Sequence, residues 1–304
     1  MKKLYYSCKH RIFKQNRKVV NMVEINVKNI DGLMEFLTIL NKFAPQCLFN
    51  VSKEKTEIFC KNSAQFASSR FDTVTDLVTV DKKCKYDNIM LCIRDINAFK
   101  SALNIVALVE EDKTSLTLNV EEIITPEQEV YGRKISYKGK AKFSLITVDR
   151  DVIQSYISQA IKSDIESDIV WSFYIDPFKL DIIQNKTNTI VNTDSEVSIY
   201  FDTNDEGEVV CSLTAKKSTY NNDISIPIAT KYEGSLDNVN MDICISDSSF
   251  RIANILRVGG ETDLKCSYNS RYNFLKFDSA IVEEDYYIKS TVITGIVKGK
   301  WYYE

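Results

Sequence analysis

The segments CIRDINAFKSA (residues 92–102) and CISDSSFRIA (residues 244–253) share an order of residue types that decides the fold class. Each begins with an apolar Cys-Ile pair that is typical of a strand. Each continues with an aspartate suited to a helix N-cap, and then carries a phenylalanine followed by a base. The segment IDPFKL (residues 175–180) shares the aspartate and the Phe-Lys step. This recurrence predicts a repeated strand–helix unit.

Helix-like and strand-like periods alternate along the rest of the chain in the same order. Four stretches have the apolar spacing of amphipathic helices, with strand-like alternation before and after them. The four expected helices are residues 30–44, 95–106, 176–186 and 247–258. Chance similarity among amphipathic helices is an alternative explanation. The pattern predicts an α+β fold of two pseudo-repeated domains, with helices on one face of antiparallel sheets.

The repeats and the local composition divide the chain into four parts. We expect a basic tail at 1–21, a first domain at 22–148, a connector with an extra helix at 149–168, and a second domain at 169–304. Three interpretations of the tail stay open. It is an arm that contacts nucleic acid, a segment that precedes a natural start at Met22, or a first element of the fold.

The composition argues against an enzyme or a metal protein. The 304 residues carry a net charge of −3 and a single histidine, His10, so the expected domains lack histidine for catalysis or metal binding. The eight cysteines form no Cys-x-x-Cys pair, and no glycine-rich phosphate loop is present. We therefore expect no catalytic residue, metal or cofactor, and reduced, buried thiols in a cytoplasmic protein. No apolar run is long enough to span a membrane.

Basic residues recur on the expected helices of this acidic chain. Lys100, Lys179 and Arg251 each follow a phenylalanine, and Lys186 and Arg257 lie further along the third and fourth helices. A solvated surface side chain is the ordinary explanation for any one of them, but recurrence at matching places favours a shared surface. Such a surface would suit a phosphate backbone, bound without reading the base sequence.

Together these features resemble the ring-shaped DNA polymerase sliding clamps, a family represented in cells by PCNA. The segments 92–118 and 241–292 are similar to the second-helix region and the C-terminal unit of the sliding clamps of T-even-type bacteriophages. The likeness extends over most of residues 22–295. The chain is longer than we expect for those clamps, and the extra length lies in the basic tail and the 149–167 segment.

The resemblance implies a homotrimeric ring, with helices lining a central pore and sheets forming the outer wall. It implies a viral processivity factor for DNA replication, which encircles double-stranded DNA, tethers the polymerase and is loaded by a separate clamp-loader ATPase. The DNA-facing residues would be Lys42, Lys100, Lys179, Lys186, Arg251 and Arg257. The partner-binding candidates are Val148, Val152, Trp301, Tyr302 and Tyr303.

Other functions stay open from the sequence. One is a clamp-like scaffold in viral transcription or recombination, and another is a viral structural protein. A third is an enzyme that uses an acidic cluster such as residues 110–112. If the chain is viral, as the bacteriophage likeness implies, the expected location is the host cytoplasm.

Overall fold

The computed structural model describes residues 19–63, 68–110, 113–124, 130–147, 168–175, 196–203, 209–217, 220–227, 229–234, 243–246, 264–271 and 274–295. The elements in these ranges are, in chain order, β1 (Val19–Val27), α1 (Ile30–Phe43), β2 (Cys47–Ser52), β3 (Thr56–Ser63), β4 (Ser68–Thr75), β5 (Val78–Val80), β6 (Asn88–Ile93), α2 (Ile96–Val109), β7 (Leu116–Ile124), β8 (Val130–Lys138), β9 (Lys142–Ile146), β10 (Ile169–Ile175), β11 (Glu196–Thr203), β12 (Val209–Lys217), β13 (Tyr220–Pro227), β14 (Ala229–Gly234), β15 (Ile243–Ser246), β16 (Leu264–Asn269), β17 (Phe274–Val282) and β18 (Tyr287–Gly295). Strand β1 begins inside the segment expected to be the tail.

Helix α1 forms where the sequence predicts it, and its ends have clear local causes. The Asn29 side chain accepts a hydrogen bond from the Gly32 amide at 2.9 Å, which satisfies a free N–H of the first turn. The helix ends at Phe43 because Ala44, the residue before Pro45, adopts an extended backbone. The apolar residues expected on one face of this helix are all buried, and they are Leu33, Phe36, Leu37 and Leu40.

Helix α2 is also confirmed, with Asp95 as its N-cap. The Asp95 carboxylate accepts a hydrogen bond from the Ala98 amide at 2.8 Å. The helix runs to Val109, beyond the expected end at 106. Helices α1 and α2 pack against each other. The end of α1 lies beside the start of α2, where Asn41 contacts Asn97, so the two helices run antiparallel.

The strands form three antiparallel sheets. The first has the order β5-β1-β7-β8-β9, the second β14-β10-β16-β17-β18-β4-β3-β2-β6, and the third β13-β12-β11-β15. The nine-stranded sheet therefore joins a five-stranded group from the C-terminal part of the chain to a four-stranded group from the N-terminal part. The α+β fold of paired domains that the sequence predicts is confirmed.

The strand pairings show the internal repeat directly. Val27, the last residue of β1, pairs with β5 and β7, and Ile175, the last residue of β10, pairs with β14 and β16 in the same arrangement. The group β5-β1-β7-β8-β9 thus corresponds strand by strand to β14-β10-β16-β17-β18. The group β4-β3-β2-β6 corresponds to β13-β12-β11-β15. The expected helices at 176–186 and 247–258 lie outside the described residues.

Strands β4 and β18 connect the two parts of the chain, and we call their pairing the internal junction. Hydroxyl groups bond across it: Thr73 Oγ1 and Ser290 Oγ are 3.1 Å apart, and Thr75 Oγ1 donates to the Tyr287 carbonyl at 2.7 Å. These threonines are buried, so their hydroxyls must find partners inside the protein. The internal junction is therefore a buried interface and not a loose contact.

Candidate nucleic-acid interface and assembly edges

The side of α1 that faces away from the sheets carries the expected polar stripe. Asp31, Glu35 and Lys42 are exposed, and Thr38 is half-buried. On α2 the exposed polar positions are uncharged, because they are asparagines and a serine (Asn97, Ser101 and Asn104). This helical surface therefore carries few charges and no strong positive field.

The two described cations of the predicted DNA-binding set lie close together on this surface. Lys100 Nζ donates to Thr38 Oγ1 at 3.2 Å, so its side chain crosses from α2 to α1. Lys42 is exposed beside Asn41, whose amide donates to the Asn97 side chain at 3.4 Å. Both cations thus lie near the end of α1 that meets the start of α2.

A third cation in this region, Arg94, was not among the residues predicted from the sequence. Arg94 is exposed and lines a cavity of about 470 Å³, together with Asn41 and Asn97. Arg94 does not follow a phenylalanine, and the matching residue in segment 244–253 is Ser246. The pattern of a base after phenylalanine therefore could not identify Arg94. Its place directly before the Asp95 N-cap was the available signal.

The other predicted site residues lie outside the described residues. The DNA-facing candidates concerned are Lys179, Lys186, Arg251 and Arg257. The partner-binding candidates concerned are Val148, Val152, Trp301, Tyr302 and Tyr303. Their roles remain predictions from the sequence.

Exposed apolar side chains lie on α2 and on β9, the outer strand of the five-stranded sheet. We call them the α2–β9 surface, and they are Ile105 (56% exposed), Leu108 (69%), Val109 (40%) and Ile146 (60%). Strand β9 is the last strand of its sheet, and α2 contacts it. An unpaired edge beside exposed apolar side chains is typical of a surface that another chain covers.

Beside β9, residues 138–142 form a turn that we call the lysine turn. Its three lysines are exposed, and they are Lys138, Lys140 and Lys142. Glu110, at the end of α2, accepts a hydrogen bond from the Lys140 amide at 2.7 Å. Burial opposes ionisation of Glu110, but hydrogen bonds from Tyr137 and the Lys140 amide, with the Lys113 ammonium nearby, hold its pKa below the usual value.

The described thiols show no metal or disulfide chemistry. Cys47, Cys60, Cys84, Cys92 and Cys266 are free, and burial raises the pKa of the Cys92 thiol to about 11. Within the described ranges, no group of His, Cys, Asp and Glu is arranged to hold a metal ion. Neither α1 nor α2, the helices in the described part of the chain, is long and apolar enough to cross a membrane.

Solved structures share this arrangement of sheets and helices over nearly the whole chain. The PCNA of A. fulgidus bound to the C-terminal region of FEN-1 matches with a TM-score of 0.60 at 10% identity, covering 91% of this chain and 99% of that one. The chain has the PCNA-like clamp fold. The PCNA2–PCNA3 complex from Sulfolobus tokodaii matches with a TM-score of 0.54 at 11% identity, covering 89% and 98%. PCNA from Entamoeba histolytica matches with a TM-score of 0.54 at 13% identity, covering 90% and 98%.

No protein-family profile and no curated protein sequence matches the chain. The likeness to PCNA is therefore one of fold, at identities too low to transfer individual residues.

Proposed function

We propose that the chain is the subunit of a DNA sliding clamp, which assembles head to tail into a ring around duplex DNA. One observation carries the proposal. The internal junction joins five strands to four, and the two remaining sheets have five strands and four strands. The free sheets thus match the two parts of a second nine-stranded sheet, which the described strands of one copy do not join.

The internal repeat indicates which edges would join. Strand β18 corresponds to β9, and β4 corresponds to β13, so pairing of β9 with β13 of another copy repeats the internal junction. That pairing would remove two exposed strand edges and cover the α2–β9 surface. It joins different surfaces of the two copies, so each added copy presents the same free edge again. Such an assembly closes into a ring when the rotations between successive copies add up to one full turn.

The likeness to PCNA-type clamps supports closure as a trimer, with α1 and α2 of each copy at the pore. The charges on these helices nearly balance, since exposed Asp31 and Glu35 oppose exposed Lys42 and half-buried Lys100. A weak net field suits a ring that slides, because each neutralised phosphate tightens binding and steepens its salt dependence. The clamp proposal therefore includes the expected DNA-facing set, of which Lys42 and Lys100 are described.

The remaining parts of the proposal concern partners. The ring would tether a DNA polymerase, be opened by a separate clamp-loader ATPase, and perform no chemical step itself. The A. fulgidus PCNA structure contains the C-terminal region of FEN-1, which supports peptide binding as the way partners attach. The candidates for that contact remain Val148, Val152 and the aromatic segment 301–303. The bacteriophage likeness favours a viral clamp in the host cytoplasm.

Two measurements test the proposal. Native mass spectrometry over a range of concentrations should show a homotrimer as the largest discrete species. In a primer-extension assay with a partner polymerase and loader, Lys42→Glu/Lys100→Glu should shorten the products made in one binding event without lowering the native mass. Their matched control is Lys82→Glu/Lys83→Glu, which changes two exposed lysines between β5 and β6.

Two results would contradict the proposal at different points. A chain that stays monomeric at concentrations of about 100 µM, where even weak specific contacts form, would remove the ring. A stable trimer whose polymerase stimulation is unaffected by Lys42→Glu/Lys100→Glu would keep the ring but remove these lysines from the DNA contact.

A further inference from the structure

The lysine turn concentrates positive charge beside the end of α2. The side chains of Lys138, Lys140 and Lys142 are exposed, and within the described part of the chain they have no hydrogen bond or ion pair. Lys138 and Lys142 lie directly opposite each other in the β8–β9 pairing. Like charges in that arrangement destabilise a sheet. A multivalent anion bound at the turn would offset this cost.

Contacts with the end of α2 hold the backbone of the turn in place. Glu110 accepts a hydrogen bond from the Lys140 amide at 2.7 Å, and the Lys113 ammonium lies 3.5 Å from the same carboxylate. A Cβ added to Gly139 would overlap this carboxylate and the Tyr137 hydroxyl group, so only glycine fits there while these contacts persist. The three ammonium groups of the turn are therefore presented from a fixed backbone, which lowers the entropy lost when a partner binds.

The lysine turn and the cations of the helices lie at opposite ends of the helix pair. Arg94 comes directly before the Asp95 cap that begins α2, whereas Glu110, which contacts the turn, caps the end of α2. A helix of 14 residues is about 21 Å long. Since the major groove of B-DNA is about 12 Å wide, two basic groups at this separation can reach phosphates on both sides of one groove.

The hairpin that carries the lysine turn is shorter than its counterpart in the repeat. Counted from Val27 and Ile175, Lys134 of β8 takes the place of Phe274 of β17. From there the β8–β9 hairpin has five residue pairs, and the β17–β18 hairpin has nine. The four additional pairs make the second hairpin about 13 Å longer.

The longer hairpin uses its tip to contact the other half of the chain. Asp285 accepts a hydrogen bond from the Asn29 side chain at 3.2 Å, and a Cβ added to Gly32 would lie 2.9 Å from the Tyr286 ring. In the proposed ring, the lysine turn would end about 13 Å short of the corresponding place in a neighbouring copy. Pairing of β9 with β13 would therefore leave the turn exposed, which favours a partner other than a second copy.

We propose that the lysine turn binds the phosphate backbone of duplex DNA, in addition to the contact at Lys42 and Lys100. This inference rests on the proposed clamp and adds a binding site to it. Helices α1 and α2 contribute little net charge, so the turn would supply much of the attraction to phosphate. A DNA strand carries one phosphate for about every 3.4 Å of helix axis, so the turn would meet roughly two or three phosphates. Ammonium groups bind phosphates as point charges, which leaves the base sequence unread.

Neutralisation of the three lysines tests this contact. Lys138→Gln/Lys140→Gln/Lys142→Gln removes the charges and keeps polar side chains at the same places. Fluorescence anisotropy of a labelled linear DNA duplex, titrated with the full chain at several salt concentrations, measures the affinity and its salt dependence. The slope of log K against log salt concentration should become about 2–3 less steep, because each phosphate contact contributes about 0.9. Native mass spectrometry should show the wild-type assembly, and circular dichroism verifies that the variant is folded.

The matched control is Lys82→Gln/Lys83→Gln/Lys85→Gln on the β5–β6 loop, since these lysines are exposed and β5 is the opposite edge of the same sheet. It should keep the wild-type slope, and an equal change in the control would overturn the site in favour of an effect of overall charge.

The remaining outcomes separate this site from the clamp itself. A lysine-turn variant with the wild-type slope would overturn the phosphate contact and leave the clamp proposal intact. Weaker assembly with an unchanged slope would overturn it in favour of a contact between copies. A wild-type chain with no salt-dependent binding to the duplex would refute the phosphate contact together with the proposed function.

Discussion

Leu108→Ala on the α2–β9 surface should weaken self-association with little effect on the stability of a single copy. Leu108 is 69% exposed in one copy, so another chain can bury most of it. Full burial of a leucine side chain contributes about 1.5–3 kcal/mol, and the 69% still available corresponds to about 1–2 kcal/mol. Truncation to alanine removes most of that area, so the dissociation constant of each contact should rise about tenfold.

Sedimentation velocity over a concentration series is the direct assay for Leu108→Ala. The midpoint of assembly should move to higher protein concentration, while the free energy of unfolding stays within about 0.5 kcal/mol of the wild-type value. Val282→Ala is the matched control, because Val282 is 75% exposed but lies at the end of β17, away from the α2–β9 surface. An unshifted assembly midpoint for Leu108→Ala, or an equal shift for Val282→Ala, would refute the reasoning.

Three further substitutions test the fold and its electrostatics. Leu33→Ala should lower the free energy of unfolding in urea by about 2–5 kcal/mol, because the fully buried side chain leaves a cavity. Gly234→Ala should lower Tm in calorimetry, because residue 234 has a φ of +149° and an added Cβ would lie 2.9 Å from the Trp171 Cβ. Glu110→Gln should make Tm fall less steeply as the solution is acidified. The pKa of Glu110 is lowered in the folded protein, so its carboxylate stabilises the fold above the unfolded-state pKa, and this stabilisation is lost as pH falls through the folded-state pKa. A curve that matches the wild type in any of these experiments would contradict the corresponding contact.

The described helices were predictable because local signals agree with the tertiary structure. In α1 the apolar spacing marks the residues that the sheets bury, and Pro45 marks its end. In α2 the Asp95 cap marks the start, but the exposed Leu108 and Val109 continue the helix past the point where the periodic pattern weakens. In the proposed ring, another copy covers the surface that Leu108 and Val109 belong to, so the sequence of one chain has no pattern for it.

Strand β4 lacks the alternating apolar pattern that identifies a strand in the sequence, and its buried face explains why. Phe71 is followed on that face by Thr73 and Thr75, which are almost completely buried. Their hydroxyl groups bond to β18, so burial here does not require apolar side chains. A search for alternating apolar residues therefore fails at the strand that holds the two parts of the chain together.

The candidate site was predictable only in part. The repeat located Lys100 on α2, but its bond to Thr38 on α1 depends on how the two helices pack, which periodicity does not specify. The α2–β9 surface and the lysine turn were missed because both depend on which strand lies at a sheet edge. Strand order follows from long-range pairing, and the local sequence does not contain it.

The internal junction also governs when the protein can finish folding. Thr73 and Ser290, which bond across it, are 217 positions apart in the chain. Contacts at such separation form slowly, because a long loop must close before they are gained. During synthesis β4 leaves the ribosome long before β18 exists, so its outer edge waits unpaired and open to aggregation. The yield of this protein in cells should therefore depend on protection of a nascent strand, and less on the final stability of the core.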